Sequence, residues 1–491
     1  MKLARRVPNP NFLLRLSVCL LLVCGSAGMA QTQDAEVRVR ELETQLRLLK
    51  ESFEQARQAH ERQLQALQQQ LENLKSAQAA RPTNTLPAAS VTTTQAPASA
   101  TSAAADLGRS KPWSPADPIR LLGNDRNYLN LSLDGLLAVG GSTAEDVGAL
   151  QRGGHDPQVS GFTLQNLEVV FQGAVDPYFR AQANIIAQID SSGESAFELE
   201  EAYAETTSLP GNFQVKAGQY LTDFGRFNPT HPHTWMFVDA PLVSTLLLGP
   251  EGLRNPGARV SWLAPTPFYT ELMLGIQNSQ GETAWAYRRP LDEGPLFGRA
   301  GVERGVESFS DMLYTPRCAV SFDLNDEQVV LAGLSAALGP NNSGDNTDTR
   351  IYGLDLTYKW RSRRHHGGFP FVWWQSEFLW RDYEAASDDE SGLPEETLED
   401  YGFYSQILWG FHKGWVAGVR GDYVNGTTGA FHPDPDRQLR WRLSPNLTWY
   451  PTEYSKIRLQ YNYDRRELEG TDHSIWLQLE FLLGAHAAHQ F

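Results

Sequence analysis

From about residue 127 to the C-terminus, apolar and polar residues alternate with a period of two. Ile457, Leu459, Tyr461 and Tyr463 alternate with Arg458, Gln460, Asn462 and Asp464. Leu439, Trp441 and Leu443 alternate with Arg440, Arg442 and Ser444, and Phe179, Ala181, Ala183 and Ile185 with Arg180, Gln182 and Asn184. This is the period of a strand with two unlike faces. The segments are longer than the usual ~5–6 residues of a strand and match the ~9–11 that cross a bilayer. A soluble sandwich also alternates, but its strands are shorter and its inner face is rarely so charged. Charge on one face and Trp, Tyr and Leu on the other suit a wet interior and an apolar exterior.

About sixteen such strands start near residues 127, 161, 178, 197, 212, 256, 268, 311, 327, 348, 369, 400, 414, 437, 454 and 472, an even number as bacterial single-chain barrels use. Their connections alternate between short turns, such as Asp176-Pro177 and Pro451-Thr452, and long loops near 140–160, 223–255, 280–310, 340–347, 385–399 and 425–436. Short periplasmic turns and long outer loops are the rule for such barrels. The expected fold is all-β: a transmembrane antiparallel β-barrel over 127–491, both ends in the periplasm, preceded by an α-helical coiled coil. A barrel has no unpaired edge, so it is stable without cross-links.

The N-terminal quarter has another character. Lys2, Arg5, Arg6 and Arg15 precede the apolar stretch Leu16–Val23, and small residues follow. This is a signal peptide over 1–30, cleaved between Ala30 and Gln31. A lipoprotein signal ending at Cys24 is disfavoured, because Val23 is too large to precede a lipidated cysteine. Cleavage removes four basic and no acidic residues, so the net charge of −16 becomes −20, and only Cys318 remains of three cysteines. No intrachain disulfide can form, and nothing in such a charge offsets phosphate repulsion, which argues against nucleic acid. Over 35–77, Leu42, Leu46, Leu49, Phe53, Ala56 and His60, then Leu64, Leu67, Leu71 and Leu74, follow heptad spacing with a stutter at His60. So narrow a seam is buried by self-association; the bland alternative is one helix lying on its own domain. Residues 78–126, rich in Ala, Pro, Ser and Thr, read as an extended linker.

The third long connection is too apolar for a solvated loop: Trp235-Met236-Phe237-Val238 and Leu242–Leu248 lie in it. It either folds inward and narrows the lumen or partly latches onto a neighbouring subunit. His231, His233, Trp235, Asp239, Glu251 and Arg254 are the candidates for the constriction. His231-Pro232-His233 is only a minimal metal set, and neither a metal nor a cofactor is expected. Arg180, Lys216, Lys359, Arg381, Arg420, Arg440, Arg442 and Arg458 fall on inward faces as pore-lining candidates. Asp355, Glu377, Asp422, Asp464 and Glu480 share those faces, so the lumen is mixed in charge.

Gly161-Phe162 through Phe171, Tyr178–Ile189, Glu200-Glu201-Ala202-Tyr203 and Gly218-Gln219-Tyr220-Leu221-Thr222-Asp223-Phe224-Gly225 resemble porins of the phosphate-selective type. The block Asn228–His233, Phe237-Val238-Asp239, Gly252-Leu253, Ser261-Trp262-Leu263 and the ending His489-Gln490-Phe491 are similar to proteins often labelled zinc-regulated TonB-dependent outer-membrane receptors. The resemblance spans roughly 120–491. It implies an outer-membrane porin, trimeric, with a periplasmic coiled coil in some relatives. Phe491 resembles the terminal aromatic read by the barrel-assembly machinery, although Gly484–Gln490 lengthens the simplest form of that signal. The mixed lumen does not carry phosphate selectivity over.

The expected function is passive diffusion of small hydrophilic solutes or ions through a water-filled channel in outer-membrane lipid. One alternative is a TonB-dependent receptor, which needs a plug of over a hundred residues where this chain has mostly linker. Another is a structural tether acting through the coiled coil. Enzyme activity is not expected: no nucleophile elbow, phosphate loop or HExxH motif is present.

Overall fold

The computed structural model describes residues 117–484 except Asp125 and Ser191. The signal peptide, the coiled coil, nearly all of the linker and Phe491 lie outside the described residues. Seventeen strands follow in order: β1 (Ile119–Gly123), β2 (Tyr128–Ser142), β3 (Gly161–Ala174), β4 (Phe179–Ile189), β5 (Ser195–Thr206), β6 (Phe213–Leu221), β7 (Arg254–Leu263), β8 (Tyr269–Gln277), β9 (Leu313–Asn325), β10 (Gln328–Pro340), β11 (Asp348–His366), β12 (Phe369–Ala385), β13 (Glu396–His412), β14 (Trp415–Gly426), β15 (Arg440–Thr452), β16 (Ser455–Arg466) and β17 (Gly470–Leu483). Among the described residues two short α-helices, α1 (Val147–Leu150) and α2 (Leu242–Leu247), lie in loops.

Strands β2 to β17 pair antiparallel with their sequence neighbours, and β17 pairs back onto β2 from Ser474↔Ser142 to Leu483↔Leu133. The sheet is therefore a closed barrel of sixteen strands, as the alternation predicts. The extra strand, β1, falls inside the segment read as linker. It pairs Ile119↔Leu131 and Gly123↔Tyr128, in line with the end of β17 on the same edge of β2. At five residues with adjacent Leu121 and Leu122, it carries no alternation to read.

The two faces separate cleanly. Along β13, Tyr401, Phe403, Ile407 and Trp409 are exposed while Asp400, Tyr404, Gln406 and Leu408 are buried inside. The outer face carries aromatic rings at two levels. Near the short turns, Trp415 stacks on Trp449 at 5.9 Å and Phe213 on Trp262 at 6.1 Å. Near the long loops, Trp441 meets Tyr463 at 5.2 Å and Phe403 stacks on Tyr423 at 5.7 Å. On β15, Leu443 and Leu447 lie outward between Trp441 and Trp449. At ~3.3 Å per residue and a tilt of ~40°, that interval is about 20 Å high, close to the apolar band of an outer-membrane barrel.

Candidate channel constriction

The connection between β6 and β7 folds into the barrel. Its base is closed by Thr222 N–H donating to the Leu253 carbonyl at 2.9 Å. Asn228 reinforces it, donating to the carbonyls of Thr222 (2.8 Å) and Leu253 (2.9 Å) and accepting from Leu253 N–H. Gly225 turns the chain at φ +61°, where a Cβ would sit 2.3 Å from the Glu377 carboxylate, so only glycine fits that approach.

Apolar residues find partners inside. Leu242, Val243 and Leu247 of α2 join Leu379, Tyr404 and Val424 of the wall, and Ala284, Ala286 and Tyr287 from the loop after β8 complete the cluster. Phe237 packs on Phe369, Phe371, Leu408, Val416 and Tyr450 nearer the short turns. The inner wall is thus not uniformly polar, and its apolar patches are where the apolar loop docks. Burial at ~25 cal/mol per Å² makes this the main inward pull.

Polar contacts fix the register at both walls. Lys456 donates to the His233 carbonyl (2.6 Å), Arg458 to that of Trp235 (2.9 Å), Asn446 to that of Met236 (2.9 Å), and Arg381 to that of Leu246 (3.1 Å). Asp239 is fully buried and accepts four hydrogen bonds of 2.8 Å, from Arg420, Gln460, Arg442 and Asn462. Burial alone would raise its pKa, but the two guanidiniums and the amide donors hold it at about 2. Beyond β17 and β2, on β3 and β5, His231 lies 2.7 Å from Glu200 and 3.0 Å from Glu201, and His233 3.1 Å from Glu168. Burial would lower the His231 pKa, but the Glu200 and Glu168 carboxylates outweigh it and hold it well above the ordinary value. The loop therefore spans from an acidic wall on β3 and β5 to a basic wall on β14 and β15, presenting the opposite charge to each.

The loop after β2 completes the arrangement. Asp156 accepts from Ala240 N–H at 2.8 Å, and Arg442 donates to the Leu150 carbonyl at 2.8 Å. Burial, with Asp239 nearby, pushes the Asp156 pKa up to about 6.

The expected site residues separate into groups. His231, Trp235, Asp239, Arg420 and Arg458 line a cavity of about 360 Å³ together with Arg226, which sequence reasoning missed. His233 and Arg254 are buried, Arg254 paired with Glu198. Glu251 stands 3.5 Å from His155. Arg381, Arg440 and Arg442 are pinned beneath loops by Asp400, Asp464 and backbone carbonyls rather than standing in open lumen. Arg180 pairs with Glu205, and Lys216 and Lys359 lie over the rings of Tyr203 (4.3 Å) and Trp373 (3.9 Å). The acidic wall was also missed. A bulge between Asn184↔Glu201 and Ile185↔Leu199 turns Glu200 and Glu201 inward together, which strict alternation forbids. The same happens at Gln165 and Asn166, and Gln165 then donates to the carbonyls of His155 and Val238.

No family model matches the chain. A protein of Aquifex aeolicus described as uncharacterized is 33% identical over 371 residues, covering 69% of this chain and 73% of that one. This chain belongs to the same family. Among solved structures, the outer membrane channel DcaP of Acinetobacter baumannii superposes with a TM-score of 0.46 at 12% identity, over 74% of this chain and 99% of that one. The anion-selective porin of Comamonas acidovorans gives 0.45 at 8% identity, over 72% and 100%.

Proposed function

We propose that this chain is an outer-membrane porin, a passive channel for small hydrophilic solutes or ions narrowed by the loop between β6 and β7. The observation that carries the reading is a closed sixteen-strand barrel with an apolar aromatic-edged exterior, a charged interior and one long loop docked inside. Sixteen-strand barrels are the size that leaves an aqueous path, whereas plugged receptors use ~22 strands. This weighs against the receptor reading. The charged lining of the cavity is Arg226, Arg420, Arg458 and His231 against Asp239, which favours anions at the narrow level.

In this reading the short turns face the periplasm, and the coiled coil of 35–77 gathers three chains beneath a trimer. Phe491 serves barrel assembly. The test is planar-bilayer recording of the purified protein without added cofactor. Discrete conductance steps, with reversal potentials in a salt gradient displaced toward anions, are expected. A protein that folds in detergent with a β spectrum but never conducts would remove the channel and leave the tether.

A further inference from the structure

The acidic wall holds more negative charge than its neighbours neutralise. Asp134 of β2, Glu168 of β3 and Glu200 and Glu201 of β5 are all buried inside the barrel. The groups that face them are His231 and His233 of the inward loop, His155 of the loop after β2, which lies 3.9 Å from Glu200 and 3.5 Å from Glu251, Asn184 of β4, and Lys456 of β16, which is paired with Glu480 of β17. Counting Glu251, five carboxylates thus confront three imidazoles. Even if all three imidazoles carry a proton, two negative charges are left over, and uncompensated buried charge is costly.

Two overlapping triads of ligand atoms are already close together. Oxygen and nitrogen atoms of Glu168, Glu200 and His231 lie within 4.8 Å of one another, and so do those of Asp134, Glu168 and His233. Glu168 belongs to both groups. Its Oε1 lies 3.5 Å from His231 Nδ1 and its Oε2 3.1 Å from His233 Nδ1. The two imidazoles stack at 5.7 Å with their planes 14° apart, which Pro232 between them helps to fix. Asp134 supplies a separate indication. It is fully buried, and neither of its carboxylate oxygens accepts a hydrogen bond. A buried carboxylate normally finds donors; this one is aimed into a cluster that contains ligand atoms and no donor for it.

We propose that this cluster is a divalent transition-metal site centred on Glu168, with His231 and His233 as nitrogen ligands and Asp134 and Glu200 as oxygen ligands. Mixed imidazole and carboxylate donors suit ions of the Co²⁺ and Zn²⁺ class, whereas Mg²⁺ and Ca²⁺ take oxygen ligands. The ion reaches the site through the cavity that His231 lines. Because the two histidines belong to the loop and the carboxylates to the wall, the ion ties the loop to β2, β3 and β5. Metal occupancy then sets how firmly the constriction is held on its acidic side. The site does not depend on whether the barrel conducts.

The experiment uses the full-length protein in detergent, stripped with chelator and dialysed against Co²⁺. Saturable binding at micromolar Co²⁺ with ligand-field absorption is expected, undisturbed by a hundredfold excess of Mg²⁺. Glu168→Gln should weaken binding at least tenfold, and so should His231→Gln, a loop change that leaves every strand intact should Glu168→Gln fail to fold. The double change His486→Ala with His489→Ala, in the C-terminal tail, should leave binding as it is. Absence of saturable binding by the folded protein overturns the proposal. Binding unchanged in a folded Glu168→Gln or His231→Gln protein, or abolished by the tail change, overturns it equally.

Discussion

Replacing Asp239 with Asn is a nearly isosteric change at the point where the inward loop meets the basic wall. Asp239 accepts from Arg420 and Gln460 on one oxygen and from Arg442 and Asn462 on the other. The amide of Asn can serve one pair, but its NH₂ then opposes two donors. Arg420 and Arg442 keep Asp422 and Asp464 as partners, so neither becomes an isolated charge. The carboxyl is held at about 2 against an ordinary ~3.9, a difference worth about 2–3 kcal/mol of charge interaction. A loss of that size raises the population of loop detached from β14–β16 by about 30–150-fold. The barrel itself is untouched, because its sixteen strands close through backbone pairing. Single-channel recording should therefore show larger, noisier steps from a barrel whose mobility shift on heating is normal. Limited proteolysis should cut between residues 231 and 248, where the wild type resists. A folded Asp239→Asn protein with wild-type step size, noise and cleavage pattern would refute the claim that this carboxylate holds the loop.

Deleting Thr234–Leu248 should raise single-channel conductance more than Asp239→Asn does; an unchanged step in a folded deletion would place the loop outside the conducting path. Acid should mimic Asp239→Asn. The depressed pKa of Asp239 gives stabilisation that is full above ~4 and lost as pH falls from about 4 through about 2, so channel noise that is flat over that interval would contradict the assignment. Asp156 acts with the opposite sign: burial and Asp239 raise its pKa to about 6 although the Ala240 N–H favours the ionised form, so the stabilisation of the docked loop by its protonated form is full below ~4 and lost as pH rises through about 6, and protection of the Ala240 amide, relative to its intrinsic exchange rate, should fall over that interval. A peptide of residues 35–77 should be helical and oligomeric, and Leu46→Asp with Leu49→Asp should dissociate it, as sedimentation will report.

The wall of the barrel could be read from the chain because each strand repeats one rule. Strand starts expected at 161, 348 and 369 are the observed ones, and most others fall within two residues of the observed start. The largest shifts are at β13, which begins early and runs into its loop from Glu396, and at β15, which begins late, at Arg440. The apolar content of 235–248 likewise pointed inward, since Leu242, Val243 and Leu247 had to find partners somewhere. What alternation could not reveal depends on exceptions to it. Glu200 with Glu201, and Gln165 with Asn166, face inward as adjacent pairs only because each strand bulges there, and the bulge shows in the sequence only as a one-residue slip in the phase of alternation, from Leu199 to Ala202 and from Leu164 to Leu167.

Those exceptions share a location. Both bulges lie on the wall that receives His231, His233 and Val238, and both deliver the side chains that hold the loop: Glu200 and Glu201 to His231, Gln165 to the Val238 carbonyl. The basic side needs no bulge, because Arg420 and Asp422 of β14, Arg442 of β15, and Gln460 and Asn462 of β16 all stand on regular inward positions. The basic side of the constriction is thus built by regular strands and could be listed from sequence as inward cations. The acidic side is built by departures from regularity, and the chemistry concentrated there, two imidazoles over four buried carboxylates, is what regular alternation would have kept apart.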